Sequence, residues 1–511
     1  MSGGNDIRDA VIGSVSANVP DPAPASPVDF DLMLAGLSQH DVGSSKRFIA
    51  RNGRDFIWIA DSSGRGTWYV WKGTHWSLDD GDREARLRAQ ATAAAILDEV
   101  AALQAAGPQD GEGREAWQKR LSELRKWARS SGYAARLEAM LTTTAPQLEK
   151  RPVELDANPW LFNVRNGTLE LHGEADGGVT FRAHRRDDLI TRVAPVSYDP
   201  NAECPDFRAW LKEILPDPNV RNFLQRYFGY ALSGAIDEQC MVMLWGKGQN
   251  GKSTLLNVVR NILGPYCVTL PVASLLEQQY RRGGDATPEL ARLAGARLAL
   301  ASEPEKKERL SASAIKTLTG GEPIAARPLY RGFVEFVPEA KLVLTVNERP
   351  TVSAQDHGMW RRLLLVEFGV QIPTEKLIGR FEQVLLREAE GILNWLLDGF
   401  RLWREDKLGV PDAIRTATDE YRSDQDFVGQ FLNAAVIRSK DPDSCVSSVQ
   451  LWHAYIKWCK DNALDATTRN NFGRALKSHG LRRGKSSNIV YRGIELTEAF
   501  KVQEEMDVGD A

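Results

Sequence analysis

Residues 246–253, Gly-Lys-Gly-Gln-Asn-Gly-Lys-Ser, constrain this chain more than any other stretch. They satisfy the spacing G-x-x-x-x-G-K-[ST], follow the apolar run CMVMLW, and open into STLLNVVRNIL, whose apolar residues recur at helical spacing. A strand, a glycine turn and a helix in that order form a cradle for a polyphosphate. The glycines let successive backbone N–H groups face inward, and the helix N-terminus adds partial positive charge. Lys252 has the reach for β- and γ-phosphates, and the Ser253 hydroxyl can sit on Mg²⁺. The pattern implies a bound nucleoside triphosphate gripped by Gly246, Lys247, Gly248, Gln249, Asn250, Gly251, Lys252, Ser253 and Thr254.

Hydrolysis asks for more: an acid near the metal, a group that senses the γ-phosphate, and a cation for the developing charge. From about 240 to 400 the apolar segments CMVMLW, ARLALAS, KLVLTV and RLLLVEF alternate with helical text, the pattern of an α/β domain with a mainly parallel sheet. Such sheets present ligands at strand ends. Glu303 follows the second segment directly, with Glu305 a second candidate across Pro304; Glu303 can polarise the attacking water or hold the metal. Asn347 ends the third segment and can orient the nucleophile. Arg361 and Arg362 open the fourth and can supply the cation. Singly, each is most often a turn or surface residue. Their order, each tied to its own strand, carries the reading.

The rest of the chain brackets this core. Its 511 residues are too many for one core. A net charge of −3 does not exclude a polyanionic partner, because a basic face can hide in a neutral total. Five scattered cysteines, none in a C-x-x-C arrangement, argue against a disulfide framework or zinc site and fit a reducing compartment. No leader pattern and no run of ~18 apolar residues are seen, so a soluble, cytoplasmic protein without a membrane partner is expected. The first residues, rich in Gly, Ser and Pro, read as disordered. Residues 47–80 read as strands, 82–148 as helices, and FNVRNGTLELHG as a hairpin at Asn-Gly. Near the C-terminus, Ser447 and Gln450 have capping-box spacing, and Leu451, Ala454, Tyr455 and Trp458 share an apolar face. Between Arg469 and Arg492 lie seven cations and no acid. A helix with Phe472 and Leu476 inward and Arg469, Arg474 and Lys477 outward, then a hairpin carrying Arg482, Arg483 and Lys485, suggests a winged helix on DNA phosphates.

Taken together, LWGKGQNGKSTLLN, RLALASEPE, KTLTGGEPIAARPLYRGFVEFVPEAKLVLTVNERP and GMWRRLLLVEF resemble the superfamily 3 helicases. The nearest group is the phage and plasmid primase-helicases, to which the poxvirus primase-helicase is related. The resemblance spans roughly residues 45–400. It implies an AAA+-like P-loop NTPase core, ATP and Mg²⁺ as ligands, and a homo-oligomeric ring, usually a hexamer, moving 3′ to 5′ on single-stranded or forked DNA. Glu303 matches the family's metal-associated acid, although Glu-Pro-Glu here replaces the paired acids often found there. Asn347 matches the sensor, and Arg362 or Arg361 the arginine that reaches a neighbouring subunit. The segment between acid and sensor matches the hairpin that enters the ring channel, with Lys316 before it and Arg327, Tyr330 and Arg331 within it. Cations beside an aromatic grip backbone phosphate without reading sequence.

The expected plan is a disordered segment 1–44, an N-terminal α+β domain 45–200, a helical collar 201–235, the ATPase domain 236–400, a helical linker 401–430, a winged-helix-like domain 431–500 and an acidic tail 501–511. Relatives often carry a primase domain; no acidic polymerase pair is seen here, so primer synthesis is expected of a separate primase or polymerase. Two other functions fit the loop alone: an ATPase that loads or organises DNA without unwinding, and a P-loop phosphotransferase.

Overall fold

The first ordered element begins earlier than composition suggests. Helix α1 (Pro27–Ala35) starts at Ser26, whose hydroxyl accepts from Asp29 N, with Pro27 at the first helical position. It is followed by α2 (Asp41–Asn52). The fully buried Arg47 of α2 donates to the carbonyls of Leu34, Leu37 and Ser38 and pairs with buried Glu99 at 2.7 Å. These bonds satisfy the open carbonyls at the end of α1. Disorder therefore does not extend through 1–44 as expected, and residues 47–52, read as strand, are helical.

This computed structural model describes residues 26–60, 64–172, 178–277, 287–302, 308–327, 334–352, 356–373, 375, 379–441, 444–481, 483–485 and 489–501, without the side chains of Arg483 and Lys485. Strands β1 (Phe56–Ala60), β2 (Gly66–Trp71) and β3 (Trp76–Ser77) form an antiparallel meander. It packs on α3 (Gly81–Ala94), which is followed by α4 (Ile96–Ala106), α5 (Arg114–Ser131) and α6 (Ala134–Thr144); β4 (Glu149–Lys150) then joins β1 in parallel. Strands β5 (Leu161–Val164), β6 (Gly167–Leu171) and β7 (Val179–Arg182) make a second antiparallel sheet. The hairpin signalled by Asn166-Gly167 is present, with its turn at Arg165-Asn166, because Gly167 already pairs with Val164.

Helices α7 (Pro205–Ile214) and α8 (Pro218–Tyr230) lead to β8 (Met241–Trp245), α9 (Lys252–Leu263) and β9 (Cys267–Thr269). After α10 (Pro288–Ala291) come β10 (Leu298–Ser302), α11 (Ala312–Thr319), the β11 (Ile324–Ala326) and β12 (Val334–Phe336) hairpin, β13 (Lys341–Val346), α12 (His357–Trp360) and β14 (Leu363–Glu367). All four expected core strands are present, with short β9 in addition. They form one five-stranded parallel sheet in the order β14-β8-β13-β10-β9. Along β8 the side chains alternate: Val242 and Leu244 enter the core on one face, Met241 and Met243 the core on the other. Being covered on both faces is why these strands read as unbroken apolar runs.

Helices α13 (Phe381–Leu385) and α14 (Ala389–Asp406) follow, and α14 lies along α8. A Cβ at Gly229 would sit 2.2 Å from Phe400 N, so glycine permits this approach. The pair read as a collar, α7 and α8, shares its buried cluster with the sheet. Helix α15 (Asp412–Asp424) covers β14.

A separate core gathers α16 (Phe427–Ala435), β15 (Val436–Arg438), β16 (Cys445–Ser447), α17 (Ser448–Asp461), α18 (Arg469–Ser478), β17 (Arg483–Lys485), β18 (Ile489–Arg492) and β19 (Ile494–Leu496). The capping box at Ser447 and Gln450 is formed, and Leu451, Ala454, Tyr455 and Trp458 are buried. Among the described residues no helix is long and apolar enough to cross a membrane.

Candidate functional site

The glycine turn lies at the carboxyl edge of the parallel sheet, between the end of β8 and the start of α9. Its path depends on residues that accept positive φ: Gly248 at +90°, Gln249 at +50° and Gly251 at +83°. Gly246 has a different reason. A Cβ there would meet Asn250 Nδ2 at 2.1 Å and the Phe368 carbonyl at 2.5 Å. Asn250 is buried and donates to Phe368 O at 3.3 Å, and Ile372 N donates to Gln249 O at 2.7 Å. The chain beyond β14 therefore braces the turn.

Lys252 is 5% exposed. Its ammonium donates to Gly246 O at 2.6 Å, Asn250 Oδ1 at 3.1 Å and Asn347 Oδ1 at 3.3 Å. Asn347 reaches it because β13 is the direct neighbour of β8, with Val346 opposite Trp245. Two residues 95 positions apart in sequence thus meet at one edge, as their strand-end positions suggested. Lys247, Gln249 and Ser253 are exposed, and Gly248, Gly251 and Thr254 half-buried. The first N–H groups of α9 have no partner within the helix, and Ser253 stands among them with its hydroxyl at the surface. A cradle of this composition suits a polyphosphate with a hard cation. Glu303 and Glu305 lie outside the described residues. Elsewhere among the described residues no group of three or more His, Cys, Asp or Glu could hold a metal.

The arginines are not with the loop. In register Leu363 lies opposite Met241 and Glu367 opposite Trp245, so Arg361 and Arg362 stand at the amino edge of the sheet. Four residues of strand, roughly 13 Å, separate that edge from the end of β8. Arg362 is 7% exposed, donates to Gly358 O at 3.0 Å and Gln239 Oε1 at 3.4 Å, and burial lowers its pKa. Arg361 is exposed.

Lys316, expected on the nucleic-acid path, is paired with Asp356 at 2.7 Å. Arg327 is exposed at the end of β11, and its N–H donates to Thr287 Oγ1 at 2.9 Å. Tyr330, Arg331 and Arg482 lie outside the described residues. Helix α18 turns Arg469, Arg474 and Lys477 outward over buried Phe472 and Leu476, as its periodicity requires. Arg483 and Lys485 fall on β17.

Sequence reading missed Gln239, Asp356 and Gly358, which surround Arg362. Only Asp356, one residue before a short helical run, carried a local signal, that of an N-cap. It also missed the charged cluster at the amino edge, where Arg297 pairs with Glu339 at 2.5 Å beside buried Lys341.

Residues 45–216 match the D5 N terminal like family, and residues 244–362 match a family of unknown function (DUF5906). The chain carries a D5 N-terminal-like domain, and the resemblance to the primase-helicases read from its motifs is matched by the names of its relatives. Its relatives belong to large DNA viruses. A "Putative helicase" of Acanthamoeba polyphaga mimivirus is 28% identical over 60% of this chain and 34% of its own length. A "Putative helicase" of Frog virus 3 is 26% identical over 53% and 29%, and a "Putative primase" of African swine fever virus 26% over 60% and 34%. The chain thus spans about a third of the length of these relatives. The apo structure of the NrS-1 C-terminal region aligns over 65% of this chain and 95% of that one, at 12% identity and a TM-score of 0.35, a likeness too low to argue from.

Proposed function

We propose that this chain is an ATP-dependent DNA helicase with an AAA+-like P-loop core, acting as a ring in replication of a phage, plasmid or related element. The observation that carries the reading is the meeting of Lys252 with Asn347 at the carboxyl edge while Arg361 stands at the amino edge of the same sheet. Lysine, backbone cradle and strand-end amide are the parts that bind and sense a γ-phosphate. An exposed arginine about one strand length away serves a second copy, stacked so that its amino edge meets this loop.

The ammonium of Lys252 leans towards β13, so the γ-phosphate belongs on that side and the nucleoside on the β14 side. There a cavity of about 270 Å³ is walled by Ile214, Val220, Leu365 and Ile414, with Asp217 and Glu367 at its margin. Ile214 also touches the place a Cβ would take on Gly251, so the cavity adjoins the loop. Apolar walls suit a base, and carboxylates accept from an exocyclic amino group such as that of adenine. Ser253 would hold Mg²⁺ with Glu303, and the metal would neutralise charge between β- and γ-phosphates. Asn347 orients the attacking water, and Arg361 of the neighbouring copy meets the charge developing on the transferred group.

The β11–β12 hairpin, with Arg327, Tyr330 and Arg331, is the strand-gripping element. The C-terminal unit is winged-helix-like, with Arg469, Arg474 and Lys477 on its phosphate-facing side. The five free thiols of the whole chain fit a reducing cytoplasm. A separate primase or polymerase would supply primers. The test is a forked-duplex assay with ATP and Mg²⁺, run beside mass photometry. Strand separation by a multi-subunit assembly is expected, with 3′-tailed substrates preferred. ATP turnover by monomers indifferent to DNA would overturn it.

A further inference from the structure

Helix α11 ends at Thr319, and Gly320 and Gly321 carry the chain into the β11–β12 hairpin. Forty residues after Lys316, Asp356 caps α12, the single turn of helix that delivers Arg361 and Arg362. These two places are joined twice. In the first bridge, Lys316 Nζ lies 2.7 Å and 2.8 Å from the two Asp356 carboxylate oxygens, and Asp356 Oδ1 accepts from Met359 N at 2.9 Å. The approach is close: a Cβ at Gly358 would stand 2.7 Å from Lys316 Cε and 3.0 Å from its Nζ, so the end of the lysine would have to shift. Gly358 in turn offers its carbonyl to Arg362 Nη1 at 3.0 Å. Burial works to raise the Asp356 carboxyl, but the Lys316 ammonium and the Met359 and Gly358 N–H groups outweigh it and keep the group ionised.

The second bridge is Gln239. Its Nε2 donates to Gly320 O at 3.3 Å, and its Oε1 accepts from Arg362 Nη2 at 3.4 Å. Gln239 holds a positive φ of 43° two residues before β8, the strand that ends in the glycine turn. A four-residue helix has too few internal bonds to fix its own position, so its caps and side-chain contacts fix it. Here those contacts run to the foot of the hairpin.

We propose that Lys316 and Gln239 are positioning residues that transmit movement of the hairpin to the turn bearing Arg361. A nucleic acid strand seated on one copy would thereby set the readiness of its arginine for the nucleotide of the next. This rests on the function proposed above. It gives Lys316 a role other than the phosphate contact expected from sequence: its charge is spent on Asp356, and its work is done through α12.

The experiment compares Gln239→Leu, Lys316→Met and Lys316→Arg with the wild-type full chain. The readouts are ATP turnover with and without single-stranded DNA, DNA affinity, and amide exchange across residues 356–362. Stimulation by DNA should fall about fivefold or more in Gln239→Leu and Lys316→Met while DNA affinity stays within about twofold. Lys316→Arg, which keeps a cation for Asp356, should recover at least half of the stimulation. DNA should change exchange across 356–362 in the wild type and not in Gln239→Leu, a readout a merely structural role would not move. Variants that respond as the wild type does overturn the inference alone. So does a Lys316→Met variant whose affinity falls in step with its stimulation, for then Lys316 is a DNA contact. A wild type whose turnover and exchange both ignore DNA overturns the reading of function with it.

Discussion

Two lysines, Lys252 and Lys341, lie at opposite ends of the parallel sheet with almost the same exposure, 5% and 4%. Lys341 opens β13 at the amino edge. Its ammonium donates to Ser233 O at 2.5 Å and Glu339 O at 3.0 Å and lies 4.2 Å from the centre of the Tyr230 ring. Burial first, and Arg297 second, push its pKa well below the usual value, against the pull of Glu339. It is locked into the fold by carbonyls that cannot leave. Lys252 at the carboxyl edge also donates to one main-chain carbonyl, Gly246 O, but its other partners are the side-chain amides of Asn250 and Asn347, and Asn347 belongs to a different strand end. Equal burial thus goes with different partners: main-chain carbonyls and an aromatic face around Lys341, two side-chain amides and one carbonyl around Lys252.

The strongest consequence concerns Lys252. Lys252→Ala should lower ATP turnover about a thousandfold or more and abolish unwinding, with single-strand binding largely intact. Unchanged turnover would remove the loop from the chemistry. The arginines come next. Arg361→Ala should cost about a thousandfold in turnover with normal stability, as for a cation serving the neighbouring copy. Mixing it with Lys252→Ala chains should restore part of the activity, because some interfaces then combine an intact loop with an intact arginine. No recovery on mixing would place Arg361 in its own chain's chemistry or outside it. Arg362→Ala, by contrast, should cost about 1–2 kcal/mol in stability through its lost bonds to Gly358 and Gln239, read as a shift in urea midpoint.

The smallest effect belongs to Lys341. A lysine whose folded pKa is depressed makes folding release a proton below the unfolded value of about 10.4. Wild-type stability from this group therefore rises with pH between its folded and unfolded values. Lys341→Met should be less stable by about 1–2 kcal/mol at pH 7, with two carbonyls left without their donor. The deficit should grow by at most about 1.4 kcal/mol per pH unit towards pH 9.5. Buried Tyr230 and half-buried Cys240, whose pKa values are raised, pull in the opposite direction in both proteins, so the informative quantity is the difference. A deficit independent of pH would show that Lys341 is charged in the fold.

Much of this was legible beforehand, and for reasons that can be named. The four core strands are unbroken apolar runs because helices cover both faces of the sheet. The capping box at Ser447 and the outward cations of α18 follow from local spacing. Asn166-Gly167 marked a hairpin that is present, with its turn one residue earlier, at Arg165-Asn166. The failure at α1 is equally instructive. Its Pro-rich surroundings suggested disorder, yet Ser26-Pro27 is a helix start, and the bond that fixes the other end comes from Arg47. That bond depends on Glu99, 52 residues further on.

Local order of residues placed the glycine turn between strand and helix, where inward-facing N–H groups arise from backbone geometry alone. It could not say which of two adjacent arginines is free, because that depends on Gly358 and Gln239 closing around Arg362 and leaving Arg361 outside. Nor could it reveal that both arginines stand at the opposite edge from the loop. Strand order and direction fix that distance, and they arise only when β13 inserts between β8 and β10.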